Sequence, residues 1–454
     1  MPNSTAAQRT ALLDAIGVPD AEPLFGQIPP AHRLRTPLAL PPALASEIEL
    51  TRHLDGLIAR NRPAGKMLSF LGAGCWQHHV PAVVDEIVTR SEFLTPVWGT
   101  PSSDFGRNQA WFEFTSQLGA LLDLDLVGLP VYSWGCAAGH ALRMAARLNG
   151  RRRVLVPALL CPERRAVIDS YCASATEQHA ILIDTYPCDR LGRADIDALK
   201  ALAGPDIAAI YFENPAFLGG LEHRAADIVD IAHAAGAEAV VGVDPISLGV
   251  VAPPGAYGAD IAVGTIQTLG IHMHAGGGLG GFIASRDEDR YAAEYPTLLN
   301  SITEAVDGSL QFGLMRFHQS SYGSREEGKD WTGNSTYLWA IGASVYMALL
   351  GPAGFREVGE LILARSHAAA ERLARVPGLS VAATGGFFKE FTVTFDRVPV
   401  EAVDRALRGA GILGGLPLTG ALPGMGNSAL YAFTEVHDHA AIERLATTLE
   451  ELLA

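Results

Sequence analysis

Gly258-Ala-Asp-Ile-Ala-Val-Gly-Thr-Ile-Gln-Thr-Leu-Gly270 is the stretch on which the reading of the fold turns. Asp260–Val263 is a short, apolar, β-prone run, and the polar Thr265, Gln267 and Thr268 follow it. A buried strand that ends in a polar turn is the repeating unit of a parallel α/β sheet. Working outward, comparable runs recur at Val154–Val156, Ala180–Ile183, Ile207–Phe212, Ala239–Val243 and Gly281–Ala284. Amphipathic helical stretches separate most of them, such as Arg164–Ala173 and Ala225–Ala235, the second stopped by Gly236. This order predicts a mostly parallel sheet with helices on both faces and right-handed crossovers. Ligands of such sheets bind beyond the carboxyl ends of the strands, so the polar residues after each run are the ones to inspect.

The flanks differ in character. Residues 1–60 read as a helical arm punctuated by Pro29-Pro30 and Pro41-Pro42, with a short helix over Ala11–Ile16. Ser46 followed by Glu49 has the form of a capping box and opens a helix over 47–60. Such an arm either wraps a partner subunit or packs on its own domain. Residues 337–372 read as long helices broken at Gly351-Pro352. Strand runs at Leu379–Ala382, Phe391–Phe395 and Leu430–Thr434 then alternate with helices near 400–410 and 438–453. The expected organisation is an arm (1–60), a large α/β domain (61–345) and a small α+β C-terminal domain with its linking helix (346–454).

Bulk properties narrow the function classes. With 454 residues and 48% hydrophobic content, a large core is easily supplied. A net charge of −15 argues against a general nucleic-acid or anionic-membrane surface. No membrane span is expected, because no apolar run is read as reaching the roughly 18 uncharged residues one needs. Met1–Ala15 lacks the regions of a signal peptide. Five cysteines, odd in number and without metal-ligand spacing, suit a reduced cytoplasmic protein. Only Lys66, Lys200, Lys329 and Lys389 are lysines, and of these Lys329 falls in a polar loop placed to line a cleft, where it reads as a solvated charge rather than a displaced imine-forming lysine.

Several residues stand where chemistry is expected. Asp244 follows the Ala239–Val243 run; a carboxylate there can pair with a protonated pyridine nitrogen, or simply cap the turn before Pro245. Ser133, Gly135 and Cys136 precede the helical run Ala141–Leu148 and form a candidate phosphate cradle, since a helix N-terminus presents free N–H groups. His140 can stack or donate there, or pack in the first turn. His272-Met-His274 with the glycines of 276–278, and His78-His79, lack a third ligand at helpful spacing, so no metal site is expected. Thr268 stands where an enzyme of the pyridoxal-phosphate (PLP) type places its imine-forming lysine, and a hydroxyl cannot form that imine.

These residues, in order, resemble the glycine dehydrogenase (decarboxylating) subunit 1 family, the α half of the two-subunit P-protein. The resemblance runs the whole length. It includes Leu24-Phe-Gly-Gln-Ile-Pro29, Phe70-Leu-Gly-Ala-Gly74, Asn214-Pro215, Val243-Asp-Pro-Ile-Ser-Leu-Gly249, Phe387-Phe388 with Glu390-Phe391, and Thr434-Glu435. It implies a fold-type-I PLP-transferase architecture. It also implies an assembly with a homologous subunit 2 that holds PLP on its lysine and passes an aminomethyl group to the lipoyl arm of H-protein. In that frame this chain is a lysine-less subunit, inactive alone, with PLP in the complex and none covalently bound here. The chain departs from the family at Leu94–Arg107, Trp134–Ala138, Cys161–Arg165 and Asp330–Gly333. Those departures keep two alternatives open: a repurposed paralogue acting with a diverged partner on another amino acid, or a non-catalytic scaffold subunit.

Overall fold

The computed structural model describes residues 5–34, 36–94, 101–173, 180–274, 280–329, 336–382 and 386–454. The glycines of 276–278, residues 95–100 of the Leu94–Arg107 segment and Asp330–Gly333 lie outside the described residues, and Pro101–Leu122, which takes in the rest of that segment after Leu94, is a helix. The chain divides into two compact units, Met1–Pro63 and Ala64–Ala454.

The first unit holds two helices. Ala6–Ile16 is capped by the Thr5 side chain, which accepts from the Gln8 amide, and ends at Gly17 with φ 80°, a left-handed stop. Glu47–Ile58 begins at Ser46, whose hydroxyl accepts from the Glu49 amide, half of the expected capping box. No described residue of this unit is buried. Leu50, Leu54, Leu57 and Ile58 share one helical stripe and remain 42–63% exposed.

The second unit contains strands β1 (Leu68–Ser69), β2 (Leu126–Val127), β3 (Arg153–Pro157), β4 (Leu182–Tyr186), β5 (Ile207–Glu213), β6 (Glu238–Val243), β7 (Ile261–Thr265) and β8 (Gly281–Ser285). It continues with β9 (Leu299–Glu304), β10 (Leu310–Met315), β11 (Leu379–Ala382), β12 (Glu390–Phe395), β13 (Ile412–Leu413), β14 (Leu416–Pro417) and β15 (Ser428–Ala432). Seven strands form one sheet in the order β2-β8-β7-β6-β5-β3-β4. Strands β4, β3, β5, β6 and β7 are mutually parallel; β8 pairs antiparallel with β7, and the edge strand β2 pairs antiparallel with β8. The expected mixed α/β sheet is therefore present, with all six expected strand runs in it. Strands β5, β6 and β7 are buried along their length, as apolar runs covered on both faces must be. The outermost parallel strand, β4, is half-exposed, with Leu182 facing solvent.

A second sheet, ordered β11-β12-β15-β14, packs against the helices Val400–Gly409 and His439–Leu453 and has its own apolar core. The hairpin β9–β10 and the two-residue strands β1, β2, β13 and β14 were not foreseen. Short strands show too few side chains for an alternation to register. Helix Tyr337–Leu373 links the two sheets and kinks at Gly351 (φ 56°, ψ −178°), where the break was expected. By length and composition this helix could cross a membrane, contrary to the reading from apolar runs. Its Tyr337, Ala340, Ile341, Ala343, Tyr346 and Met347 instead form part of the main hydrophobic core.

Candidate functional site

The carboxyl ends of β6 and β7 open onto a cluster of buried charges. Asp244, directly after β6, caps the turn Pro245–Gly249 by accepting from the Ile246 amide. Its Oδ1 also accepts from Thr268 Oγ1 at 3.3 Å. Both side chains are buried. Thr268 and Asp244, singled out in the sequence on separate grounds, are thus in contact.

A third residue joins them that sequence reasoning did not select. Lys389 Nζ lies 2.7 Å from Asp244 Oδ2, and both side chains are 3% exposed. The same ammonium sits 3.4 Å from the centre of the Trp76 ring and 3.1 Å from His78 Nε2. His78 Nδ1 then meets Glu435 Oε2 at 2.8 Å, and Glu435 Oε1 accepts the His79 amide at 2.7 Å. An ammonium against Nε2 makes that nitrogen the acceptor, so the ring proton belongs on Nδ1, facing Glu435. A continuous polar chain therefore runs Thr268–Asp244–Lys389–His78–Glu435. Burial pushes the Lys389 amine down from its ordinary value, opposed by the attraction of Asp244. Burial alone would raise the Glu435 carboxyl, but the His78 ring and the His79 amide outweigh it and hold it at about 2.

The local fold explains why Lys389 points here. Gly220 bridges to Phe387, and the Leu221 amide donates to Gly386 O at 3.1 Å, tying the segment before β12 to the loop after β5. Phe433 N donates to Lys389 O at 2.8 Å on the other side. Gly219 (φ 95°) permits this approach: a Cβ there would stand 1.9 Å from Glu390 O. His78 is set by Thr434, whose hydroxyl donates to Gln77 O at 2.5 Å.

A second pair flanks the first. Arg164 and Glu213 form a buried ion pair, with Nε 2.7 Å from Oε1 and one hydrogen bond from Nη2 to Oε2 at 3.0 Å. Tyr211 OH donates to Glu213 Oε1 at 2.7 Å, and the guanidinium lies 4.0 Å from the Trp134 ring centre. Glu390 accepts the Ala73 amide at 2.7 Å, and burial raises its carboxyl to about 7. Between Trp76, Trp134, Arg164, Glu213, Asp244, Lys389 and Glu390 a cavity of only about 20 Å³ remains. That is room for about one water molecule. A wider cleft of about 270 Å³ adjoins it, lined by Gly74, Cys75, Ser133, Gly135, Cys161, Glu163 and Thr265.

The candidate cradle divides. Ser133 and Gly135 line the wider cleft, but the Ser133 hydroxyl is engaged as N-cap, accepting the Cys136 amide at 3.1 Å. Gly135 is required by packing, since a Cβ there would meet Val167 Cβ at 2.9 Å. Cys136 Sγ contacts Tyr171 OH at 2.8 Å, and the His140 ring meets Tyr171 edge-on at 4.6 Å. Both side chains meet Tyr171 of the neighbouring helix Pro162–Cys172. Lys329, read from the sequence as a solvated charge in a loop placed to line a cleft, pairs with Glu294 at 3.0 Å. His272 pairs with Asp85 at 2.8 Å, and among the described residues no group of three or more His, Cys, Asp or Glu could hold a metal ion. In the sequence, His78 stands out only as a candidate metal ligand. A lysine flanked by Phe387, Phe388 and Phe391 was the available signal for Lys389, because a cation in an apolar run is rarely left solvated.

Of the described residues at which the sequence departs from the family pattern, Trp134, Cys161 and Arg164 line the two cavities, whereas Cys136 faces Tyr171.

Comparison with known proteins agrees along the whole chain. Residues 1–419 match the family described as glycine cleavage system P-protein. The probable glycine dehydrogenase (decarboxylating) subunit 1 of Staphylothermus marinus is 34% identical, covering 100% of this chain and 98% of the relative. That of Moorella thermoacetica is 35% identical over 99% of each. A crystal structure of glycine decarboxylase (P-protein) of the glycine cleavage system, in inhibitor-bound form, superposes with TM-score 0.88 at 34% identity, covering 100% of this chain and 99% of that one. A sphingosine-1-phosphate lyase of Burkholderia pseudomallei shares the fold alone, with TM-score 0.63 at 14% identity and 95% of this chain covered. The chain belongs to the glycine cleavage system P-protein family, among the sequences named subunit 1 of glycine dehydrogenase (decarboxylating).

Proposed function

We propose that this chain is the subunit-1 half of a PLP-dependent glycine decarboxylase and acts only when assembled with a homologous, lysine-bearing subunit 2. The observation that carries the reading is the full-length likeness to a solved glycine decarboxylase, combined with Thr268 at the position expected for the imine-forming lysine. The residues at this chain's own ring site do not fit PLP. Thr268 offers no amine, Asp244 is already paired, and the cavity beside them is about 20 Å³. The cofactor is therefore assigned to the partner, with a lipoyl carrier protein as the acceptor of the aminomethyl group and the cytoplasm as the compartment. The proposed division is an arm over 1–60, a large domain over 61–345 and a small domain over 346–454.

The arm supports the partnership. A helix whose Leu50, Leu54, Leu57 and Ile58 stripe is uncovered leaves apolar surface that association would remove from water. Co-expression with a subunit-2 homologue tests the proposal. A stable complex that absorbs as a PLP enzyme and exchanges the glycine carboxyl group with bicarbonate is expected, and this chain alone does neither. A chain that never pairs would overturn it.

A second reading has one observation in its favour: Trp134, Cys161 and Arg164 depart from the family pattern and line the cleft. A repurposed paralogue would respond to an amino acid other than glycine in the same complex. A glycine-only spectral response rejects that reading.

A further inference from the structure

In the reading above, Asp244 stands where a carboxylate would pair with the charged ring nitrogen of a pyridine cofactor, and the inference below rests on that assignment. The carboxylate already has a cation. Lys389 Nζ lies 2.7 Å from Oδ2, against the face of Trp76 at 3.4 Å and His78 Nε2 at 3.1 Å. Aromatic face, imidazole lone pair and carboxylate are all groups that favour a cation, and together they hold one ammonium out of water. We propose that Lys389 is a built-in substitute for the cofactor's charged ring nitrogen. Its ammonium pairs with the Asp244 charge and closes the ring site of this chain to a pyridine cofactor, whether bound through a covalent link or without one.

Two physical arguments carry this beyond the missing imine lysine. A pyridinium brought to Asp244 would place a second buried cation beside Lys389, and like charges at close range in a poorly screened site repel strongly. Sterically, an aromatic ring cannot enter a cavity of about 20 Å³ unless the lysine side chain leaves. The alternative that Lys389 replaces the imine-forming lysine fails on geometry. The aldehyde carbon of PLP is para to the ring nitrogen, so an amine seated on the nitrogen's carboxylate is at the wrong end of the ring. The wider cleft of about 270 Å³ beside the Ser133 turn stays open, so a phosphate group alone meets no such barrier.

Pyridoxine 5′-phosphate, which lacks the aldehyde, tests the ring site by equilibrium dialysis against the purified full-length chain. The wild type is expected to show no saturable binding. Lys389→Ala and the nearly isosteric Lys389→Gln should bind at least about tenfold more tightly than wild type. Adding Asp244→Asn should remove the gain. Saturable binding by wild type equal to that of the variants, or equal binding with and without Asp244, would overturn the proposal. Should both lysine variants misfold, the wild type still decides: treated with PLP and borohydride, it should be labelled on other lysines and not on Lys389. Label on Lys389 would sink the idea. These assays use the chain alone, so a failure of pairing or of glycine turnover does not affect them.

Discussion

Glu390 and Glu435 are both largely buried, yet their carboxyls move in opposite directions. Glu390 is held up at about 7 by burial, against an ordinary value of 4.5. Between those pH values the folded chain keeps a proton that the unfolded chain has lost, so stability falls as pH rises through that window. At about 1.4 kcal/mol per pKa unit the loss is up to roughly 3 kcal/mol. Glu390→Gln should flatten this slope, giving a smaller drop in unfolding free energy than wild type between pH 4.5 and 7 in urea titrations. Glu435, held at about 2, contributes in the other sense: its stabilisation is complete above 4.5 and is lost as pH falls towards 2. Glu435→Gln should therefore be less stable than wild type at pH 7, and the gap should close in acid. At the neighbouring pair, Arg164→Met leaves Glu213 buried without its cation. The expected cost is about 3–5 kcal/mol, read as a lowered urea midpoint at pH 7. None of these pairings follows from spacing. Lys389 and His78 are 311 positions apart and His78 and Glu435 are 357 apart.

At the scale of elements, two close approaches hold the cleft in shape. The helix Trp134–Asn149 lies against Pro162–Cys172 across small residues, and a Cβ on Gly139 would stand 2.5 Å from Tyr171 Cβ. Gly139→Ala should cost about 1–3 kcal/mol through overpacking, measured as a lower thermal midpoint. Gly219→Ala should be worse. It sits at positive φ, and its Cβ would strike the Glu390 carbonyl at 1.9 Å, displacing the segment that carries Lys389. A variant at Gly219 that folded and melted like wild type would contradict the role given to that loop. The sequence announced the two helices as the helical runs Ala141–Leu148 and Arg164–Ala173. It did not announce that Gly135 and Gly139 serve helix packing, because the partner surface lies on a different element.

For the whole molecule, Met1–Pro63 has no described buried residue, whereas Ala64–Ala454 has its own cores. Deleting residues 1–63 should leave the thermal midpoint within a few degrees of the full chain. The same deletion should weaken capture of a subunit-2 homologue by at least about tenfold, measured by titration calorimetry. Full-strength pairing without the arm would show that its apolar stripe is not the docking surface.

The sequence alone determined the class of fold, the six main sheet strands, the break at Gly351 and the absence of an amine at position 268. Each of these is a local property: apolar runs of strand length, a glycine stop, the identity of one side chain. Which cation faces Asp244 was decided only by the tertiary structure. The segment before β12 is pinned to the loop after β5, and a chain contact between residues 145 positions apart leaves no periodic trace in the residues that make it. The same holds for the cleft's size, because Trp76, Trp134 and Lys389 fill it from three separate stretches of chain.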